Sequence, residues 1–439
     1  MKRSICLLLF MGIFLISFSQ TEYIPLNYSS LEKKLEKSNT AVKHPKKSLK
    51  AATWLQRGEL MRDIYKVDID QLVEGMDKVT IKALLKDPSD TKTETVAGVT
   101  NEVLTYDRIK LYMENNRLSK WEKTSTILKK PLDEAYDAYL KAAELDEGGK
   151  LTKKIHDNLI ELKDLYKQSG LNTYYLNEKT TALEDFMMVL KINEHKYFEG
   201  EVDTIMLQYT GIIAREINDI ETSAKQYETL AKMGFGGPNT YLLLKEDYLT
   251  LKDTLRAIEV LERGFSAYPD SVNLVANLID MYIKQEMIDG GLKKIDESIK
   301  TNPKKGEFYY WKGRLILNSE DEDRIEQALE VYKKAIEVDP TLYYVYYDMG
   351  LIYYLQGQDL FTQAGTERDK DTRELMNEMA TEKYNEAIPT LENALKYNKT
   401  FNEIMKESLD TLKRIYYRLQ MTDKYEETDK RLIEMRNRK

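Results

Sequence analysis

The sequence predicts an all-α solenoid of about seven stacked helix pairs, interrupted near its N-terminus by a small insertion that contains a β-hairpin. Three observations carry this expectation. Small, apolar and proline positions recur at a spacing of 34 residues, glycines recur twelve to fifteen residues ahead of the small residues, and one stretch alone changes from a helical apolar period to strict alternation. Composition agrees: 42% hydrophobic and 32% charged residues, with Gly 20, Pro 9 and Cys 1, exclude a disordered, collagen-like or disulfide-built chain.

Taken in chain order, Lys2 and Arg3 precede an apolar run from Ile5 to Phe18. That run has the length of a signal-peptide core and falls short of the roughly 20 residues that span a bilayer. Ser17 and Ser19 place the expected cleavage before Gln20, giving a signal peptide at 1–19 and no membrane span in the mature chain. Cys6 lies at the start of the apolar run and not at its end, which argues against a lipoprotein. An N-terminal segment, 20–50, follows.

The repeats organise the rest. Pro269 and Pro303 stand 34 residues apart, and the same offset relates Leu244 to Leu278, Tyr248 to Tyr282, Ala257 to Gly291 and Leu261 to Ile295. A small residue, an apolar one four later and a second small one three after that describe a helix with a small face toward a neighbour. The set recurs as Ala328, Tyr332, Ala335 and Pro340, where the acidic stretch Glu320 to Asp323 lengthens the offset to 37. Glycine precedes the small residue by twelve in Gly170–Ala182 and Gly211–Ser223, and by fifteen in Gly313–Ala328. Mid-helix glycine costs about 1 kcal/mol against alanine, so its recurrence points to close contact between paired helices.

These residues resemble the tetratricopeptide repeat, a 34-residue helix-turn-helix. Trp54, Gly58, Ala135, Tyr139 and Ala142 carry the resemblance in the first unit, Ala257, Leu261 and Pro269 in a later one, and Gly350, Tyr353, Ala387, Leu391 and Ala394 in the last. The resemblance covers about 50–400 and implies a first split unit at 51–147, a helix-pair array at 148–400 and capping helices at 401–439, supplied by Leu409, Leu412, Ile415, Tyr416 and Leu419.

Two insertions depart from the repeat. Gly58 to Ala135 spans 77 residues, and Gly350 to Ala387 spans 37. The second, Asp359 to Lys383, is charged and free of proline and is expected to lengthen both helices of its unit into a solvated spur. The first, at about 70–125, alternates through Val103, Thr105, Ile109, Leu111 and Met113, and Glu114-Asn115-Asn116-Arg117 reads as the turn of a hairpin. With Gly75-Met76, Leu84-Leu85, Pro88, Gly98, Tyr106, Leu111-Tyr112 and Leu118 to Trp121, this insertion is similar to the small α+β module of outer-membrane lipoproteins that assist barrel assembly. That resemblance would add envelope assembly components to the candidate partners.

Catalytic chemistry is not assembled by any motif. His44, His156 and His195 lie far apart in sequence, and His195 reads as a surface residue. The run from Met233 to Pro238 lacks the lysine of a phosphate loop and reads as a helix end. The expectation is a chain that is not an enzyme, with no cofactor and no metal. Sixty-six basic against 74 acidic residues, −8 net, argue against nucleic acid as a partner, since that needs a basic face.

Tyrosine is the unusual residue, 31 in the chain. Tyr346, Met349, Gly350 and Tyr353 fall on the packing face of their helix, which leaves Tyr344, Tyr347, Leu351 and Tyr354 on a second stripe, with Tyr310, Arg314 and Leu317 at equivalent places one unit earlier. In tetratricopeptide proteins that stripe lines the inner groove, so the resemblance implies a tyrosine-rich binding floor for a protein or peptide; burial of the stripe by the C-terminal helix stands beside it. Glu246, Asp280, Arg314 and Leu351 occupy the positions where a carboxylate clamp of this family would need Lys and Asn. The expected function is a protein-interaction scaffold in the periplasm or at the outer membrane. Glycan capture, as in outer-membrane starch-binding proteins that contain such repeats, and assembly of outer-membrane proteins are the alternatives.

Overall fold

The computed structural model describes residues 28–400 and 402–437, so the expected signal segment, 1–19, lies outside the described residues. The chain divides into two compact units, 1–226 and 227–439.

Unit 1 opens with α1 (Tyr28–Lys43), whose Leu31 and Leu35 pack on the core and which the sequence reading left without structure, and α2 (Ala51–Lys66). The insertion follows as α3 (Lys78–Leu85), β1 (Asp90–Val96), β2 (Val99–Thr105), β3 (Ile109–Glu114) and β4 (Arg117–Lys123). Then come α4 (Pro131–Leu145), α5 (Thr152–Tyr175), α6 (Lys179–Asn193), a 3-10 turn at Lys196–Phe198, α7 (Thr204–Glu216) and α8 (Ile220–Lys232), within which the division falls. Unit 2 continues with α9 (Gly237–Thr250), α10 (Thr254–Ala267), α11 (Val272–Lys284), α12 (Ile288–Thr301), α13 (Gly306–Leu317), α14 (Arg324–Val338), α15 (Tyr343–Thr366), α16 (Lys370–Tyr397), α17 (Glu403–Arg418) and α18 (Thr422–Asn437). Read in order, α2 with α4 and then α5 to α16 in twos make the seven expected helix pairs.

The recurring glycines are where paired helices meet. A Cβ on Gly58 would lie 2.3 Å from the ring of Tyr139, on Gly170 2.5 Å from Phe186, on Gly313 2.3 Å from Tyr332 and on Gly350 2.6 Å from Leu391. In each case the partner is the residue four after the small one of the second helix (Ala135, Ala182, Ala328, Ala387). The glycine is thus a socket for one large side chain, and Tyr139, Phe186, Tyr332 and Leu391 are essentially inaccessible.

Turns within pairs repeat as well. Asn177, Asn218, Lys252, Glu286 and Gln420 all have φ between 57 and 65°. The next amide reaches back five residues, as in Asp253 N–H to Tyr248 O at 2.8 Å and Met287 N–H to Tyr282 O at 2.8 Å. This is the Schellman closure, which satisfies the last carbonyls of the first helix while turning the chain into the second.

The insertion is larger than the expected hairpin. It is a four-stranded antiparallel meander in the order β1-β2-β3-β4, with α3 on one face over a core of Leu104, Leu111, Met113, Leu118 and Trp121. The expected turn is present, with Asn115 and Asn116 both at positive φ. The missed strand, β1, reads Asp-Thr-Lys-Thr-Glu-Thr-Val, and its lack of large apolar residues left no alternation to detect. The outer edge of β4 is closed: Leu118 exchanges bonds with Gly75 and Met76, and Asn172 of α5 both accepts from Trp121 N–H (2.8 Å) and donates to its carbonyl (2.6 Å). At the base of the insertion Lys123 lies 3.8 Å from the centre of the Tyr65 ring and donates to the Tyr65 carbonyl; burial lowers its ammonium to about 8.

The expected spur is present, α15 and α16 running to 24 and 28 residues. Its interior is less solvated than expected, because Phe361 stacks on Tyr384 (5.4 Å) and Ala364 and Ala380 are buried between the two helices.

Candidate functional site

Within unit 2 the stripe is carried by α13 and α15, and the helix-pair packing fixes which side chains reach it. Tyr332 of α14 fills the Gly313 socket and cannot leave it. Tyr310 stacks on Tyr332 (centroids 5.8 Å apart) and meets Tyr344 edge to face at 4.6 Å, so two stripe tyrosines form one layer over a buried third. Such pairs hold their geometry and contribute about 0.5–1.5 kcal/mol beyond area burial. Tyr310 donates its hydroxyl hydrogen bond to Asp348, one residue after Tyr347. Burial pushes the Asp348 carboxyl up to about 6, against the opposing effects of the Tyr310 bond and the Arg314 charge.

Arg314 is not a free cation. It pairs with Asp280, its counterpart 34 residues earlier, at 3.2 Å, and its guanidinium lies 5.2 Å from the Trp311 ring centre. Leu317, Tyr347 and Leu351 are half-buried and pack on the core of α14 to α17. The Tyr347 hydroxyl donates to Glu407 of α17, so the C-terminal helices take hold of the stripe without enclosing it. Burial, with Glu407 next, raises the Tyr347 hydroxyl above its ordinary value.

The structure thus brings Tyr310, Arg314, Leu317, Tyr344, Tyr347 and Leu351 onto one half-buried surface and separates Tyr354 from them. Tyr354 is buried and stacks on Tyr384 of α16 at 5.9 Å. The expected i+10 position fails because α16 sets the large ring of Tyr384 against it, three residues before Ala387 and at the place where Lys179, Thr254 and Ile288 begin the second helices of earlier units. Leu355, half exposed at 51% and four residues after Leu351, takes the solvent side of that turn. Tyr346, Met349, Gly350 and Tyr353 are buried on the packing face, as expected.

Four residues escaped the sequence reading. Asp348 interrupts an aromatic run and was the available signal. Glu407 and the pair Tyr417 and Tyr425 lie beyond the last complete repeat. Tyr417, 75% exposed, stands 5.9 Å from Tyr425, and with Asp410, Lys413 and Arg414 they line a cleft of about 360 Å³.

Two of the histidines share a neighbour. Far apart in sequence, His156 and His195 both flank Tyr197, at 6.4 and 4.5 Å between ring centres, because α5 and the 3-10 turn after α6 adjoin. His195 Nδ1 accepts from Tyr197 N–H and caps that turn, so it is structural; burial lowers its imidazolium. Among the described residues no group of three or more His, Cys, Asp or Glu is placed to hold a metal ion, and no helix is long and apolar enough to cross a membrane.

A family model described as TPR repeat matches residues 321–357, which run from the acidic stretch through α14 into α15. That matched stretch carries the pattern of tetratricopeptide repeats. The fold is the α-solenoid type expected of them, with a four-stranded sheet inserted near the N-terminus. Solved structures similar to this chain include a TPR repeats protein from Bacteroides fragilis NCTC 9343 (18% identity over 57% of this chain and 97% of that one, TM-score 0.33). Others are a thermophilic TPR protein from Thermus thermophilus (18%, 45% and 91%, TM-score 0.31) and MamA (18%, 45% and 96%, TM-score 0.30). No curated protein matches the sequence. A tetratricopeptide fold suggests an interaction scaffold for protein partners.

Proposed function

We propose that this chain is a non-enzymatic scaffold of the bacterial cell envelope that holds a peptide or an extended segment of a partner protein across Tyr310, Arg314, Leu317, Tyr344, Tyr347 and Leu351. One observation carries the reading: a contiguous aromatic surface, fixed from below by Tyr332 and Asp348, that helix packing leaves half open. Tyrosine and arginine offer large contact area with a polar end and lose little freedom when already held in place. The envelope address rests on the sequence of residues 1–19.

The test is a photo-crosslinking residue at Tyr347 in cells, followed by binding measurements with the captured partner. Tyr347→Ala should weaken binding by about 1–2 kcal/mol with helical content intact. Tyr353→Ala, which removes a buried ring, should destabilise the fold first. If Tyr347→Ala melts the repeat as Tyr353→Ala does, the stripe is core and the proposal fails; if bound oligosaccharide and no protein is recovered, glycan capture replaces it. N-terminal sequencing that finds Met1 on a cytoplasmic protein would remove the envelope address.

A further inference from the structure

The inserted sheet has one closed edge and one open edge. Leu118, Trp121, Gly75, Met76 and Asn172 consume the outer edge of β4, whereas among the described residues β1 pairs with β2 alone and presents a row of backbone N–H and C=O groups to solvent. Nothing shortens or bends this edge: β1 is seven residues long, pairs in unbroken register from Asp90↔Thr105 to Val96↔Val99, and contains no proline. A straight open edge is a template for another strand.

The β1 side chains specify which strand. Lys92 and Glu94 point to one face and Thr91, Thr93 and Thr95 to the other. Lys92 bonds Glu94 along its own strand at 2.6 Å, an exposed contact worth little. Now place a second β1 antiparallel beside the first, with the two-fold axis at Thr93. Lys92 then faces Glu94 of the second copy, Glu94 faces its Lys92, Thr91 faces Thr95, and Thr93 faces itself. Sliding the axis to Lys92 sets lysine against lysine and Asp90 against Glu94, and sliding it to Glu94 sets glutamate against glutamate. The strand is therefore complementary to itself in charge in one register and repulsive in the neighbouring ones that keep the faces aligned. A lysine on a free edge ordinarily discourages pairing. Here its carboxylate two residues later turns the same lysine into a register key.

We infer that two copies of this chain associate through β1, joining their four-stranded sheets into one continuous sheet of eight strands across a two-fold axis at Thr93. This association is independent of the stripe in unit 2.

Sedimentation velocity of the full chain tests it. The expected result is a concentration-dependent species of twice the monomer mass. Lys92→Glu and Glu94→Lys should each raise the dimer dissociation constant at least about tenfold, since each sets two like-charged pairs face to face, and the double swap should restore it. Register is read separately: with Cys6→Ser in the background, Thr93→Cys should form an intermolecular disulfide under mild oxidation and Thr91→Cys should not, because only a residue on the axis meets its own copy. A chain that stays monomeric at every concentration, a dimer indifferent to both charge reversals, or crosslinking that is equal at 91 and 93 overturns the inference. Circular dichroism of each variant confirms that these exposed positions leave the fold intact.

Discussion

Gly313→Ala is the sharpest probe of the packing, because the structure supplies both the collision and the reason it cannot be relieved. The added Cβ would lie 2.3, 2.6 and 3.1 Å from Cε1, Cδ1 and Cζ of Tyr332, whereas carbon atoms in contact prefer about 3.5–4.0 Å. Tyr332 is fully enclosed and its ring is stacked against Tyr310, so retreat by the required ångström would push the stripe layer outward. Overpacking of this kind costs about 1–3 kcal/mol, and the better helix propensity of alanine returns about 1 kcal/mol. A net destabilisation of about 1–2 kcal/mol is expected, the ring contact placing the collision toward the upper end of its range. Urea unfolding followed by the fluorescence of Trp311, the one tryptophan in residues 227–439, reads it beside the same chain with Gly365→Ala. A Cβ at Gly365, late in α15, meets nothing within 4 Å, so that variant should stabilise by about 0.4–1 kcal/mol through the unfolded state. Combining Gly313→Ala with Tyr332→Leu should cost less than the sum of the two, because they share one space. A Gly313→Ala midpoint equal to or above the parent would refute the socket.

Further outcomes follow from the titratable and edge groups. The Asp348 carboxyl is raised to about 6 in the fold from an ordinary value of 3.8, so the native state binds the extra proton between those values and unit 2 should lose stability as pH rises from about 4 to 6. Asp348→Asn, which still accepts from Tyr310, should flatten that slope and stabilise at pH 7 by up to about 2 kcal/mol, read as urea midpoints at the two pH values. Lys123 behaves as the mirror case: its ammonium is lowered to about 8 from 10.5, so the unfolded chain holds the proton between those values and unit 1 should gain stability as pH rises through them, a gain absent in Lys123→Met. Asn172→Ala strips both partners from the Trp121 backbone and should cost about 1–3 kcal/mol, with faster hydrogen exchange at the Trp121 amide and unchanged exchange in α9 to α18.

How far the sequence could be read is clearest at single residues. Gly313, Ala328, Tyr332 and Ala335 announced a helix pair because a repeat copies one local solution many times, and a pattern seen four times needs no structure to be believed. The same logic explains where reading stopped. Tyr354 sits at a position that is half-buried one unit earlier, at Leu317, and the ring of Tyr384 on α16 completes its burial. β1 is legible as a strand only through its pairing with β2, since a half-exposed edge strand has no apolar face to betray it.

Determined by sequence alone were the helix pairs, their number and the two interruptions, because each depends on spacings of a few residues along one chain. Tertiary structure alone decided what each polar group does. Arg314 found Asp280, Tyr310 found Asp348, Tyr347 found Glu407, and His156 and His195 came to share Tyr197. These pairings join residues that are distant in sequence or on neighbouring helices. Their partners are chosen by which helices pack together and at what depth, and burial, not residue type, then sets whether a carboxylate stays charged or is pushed toward protonation.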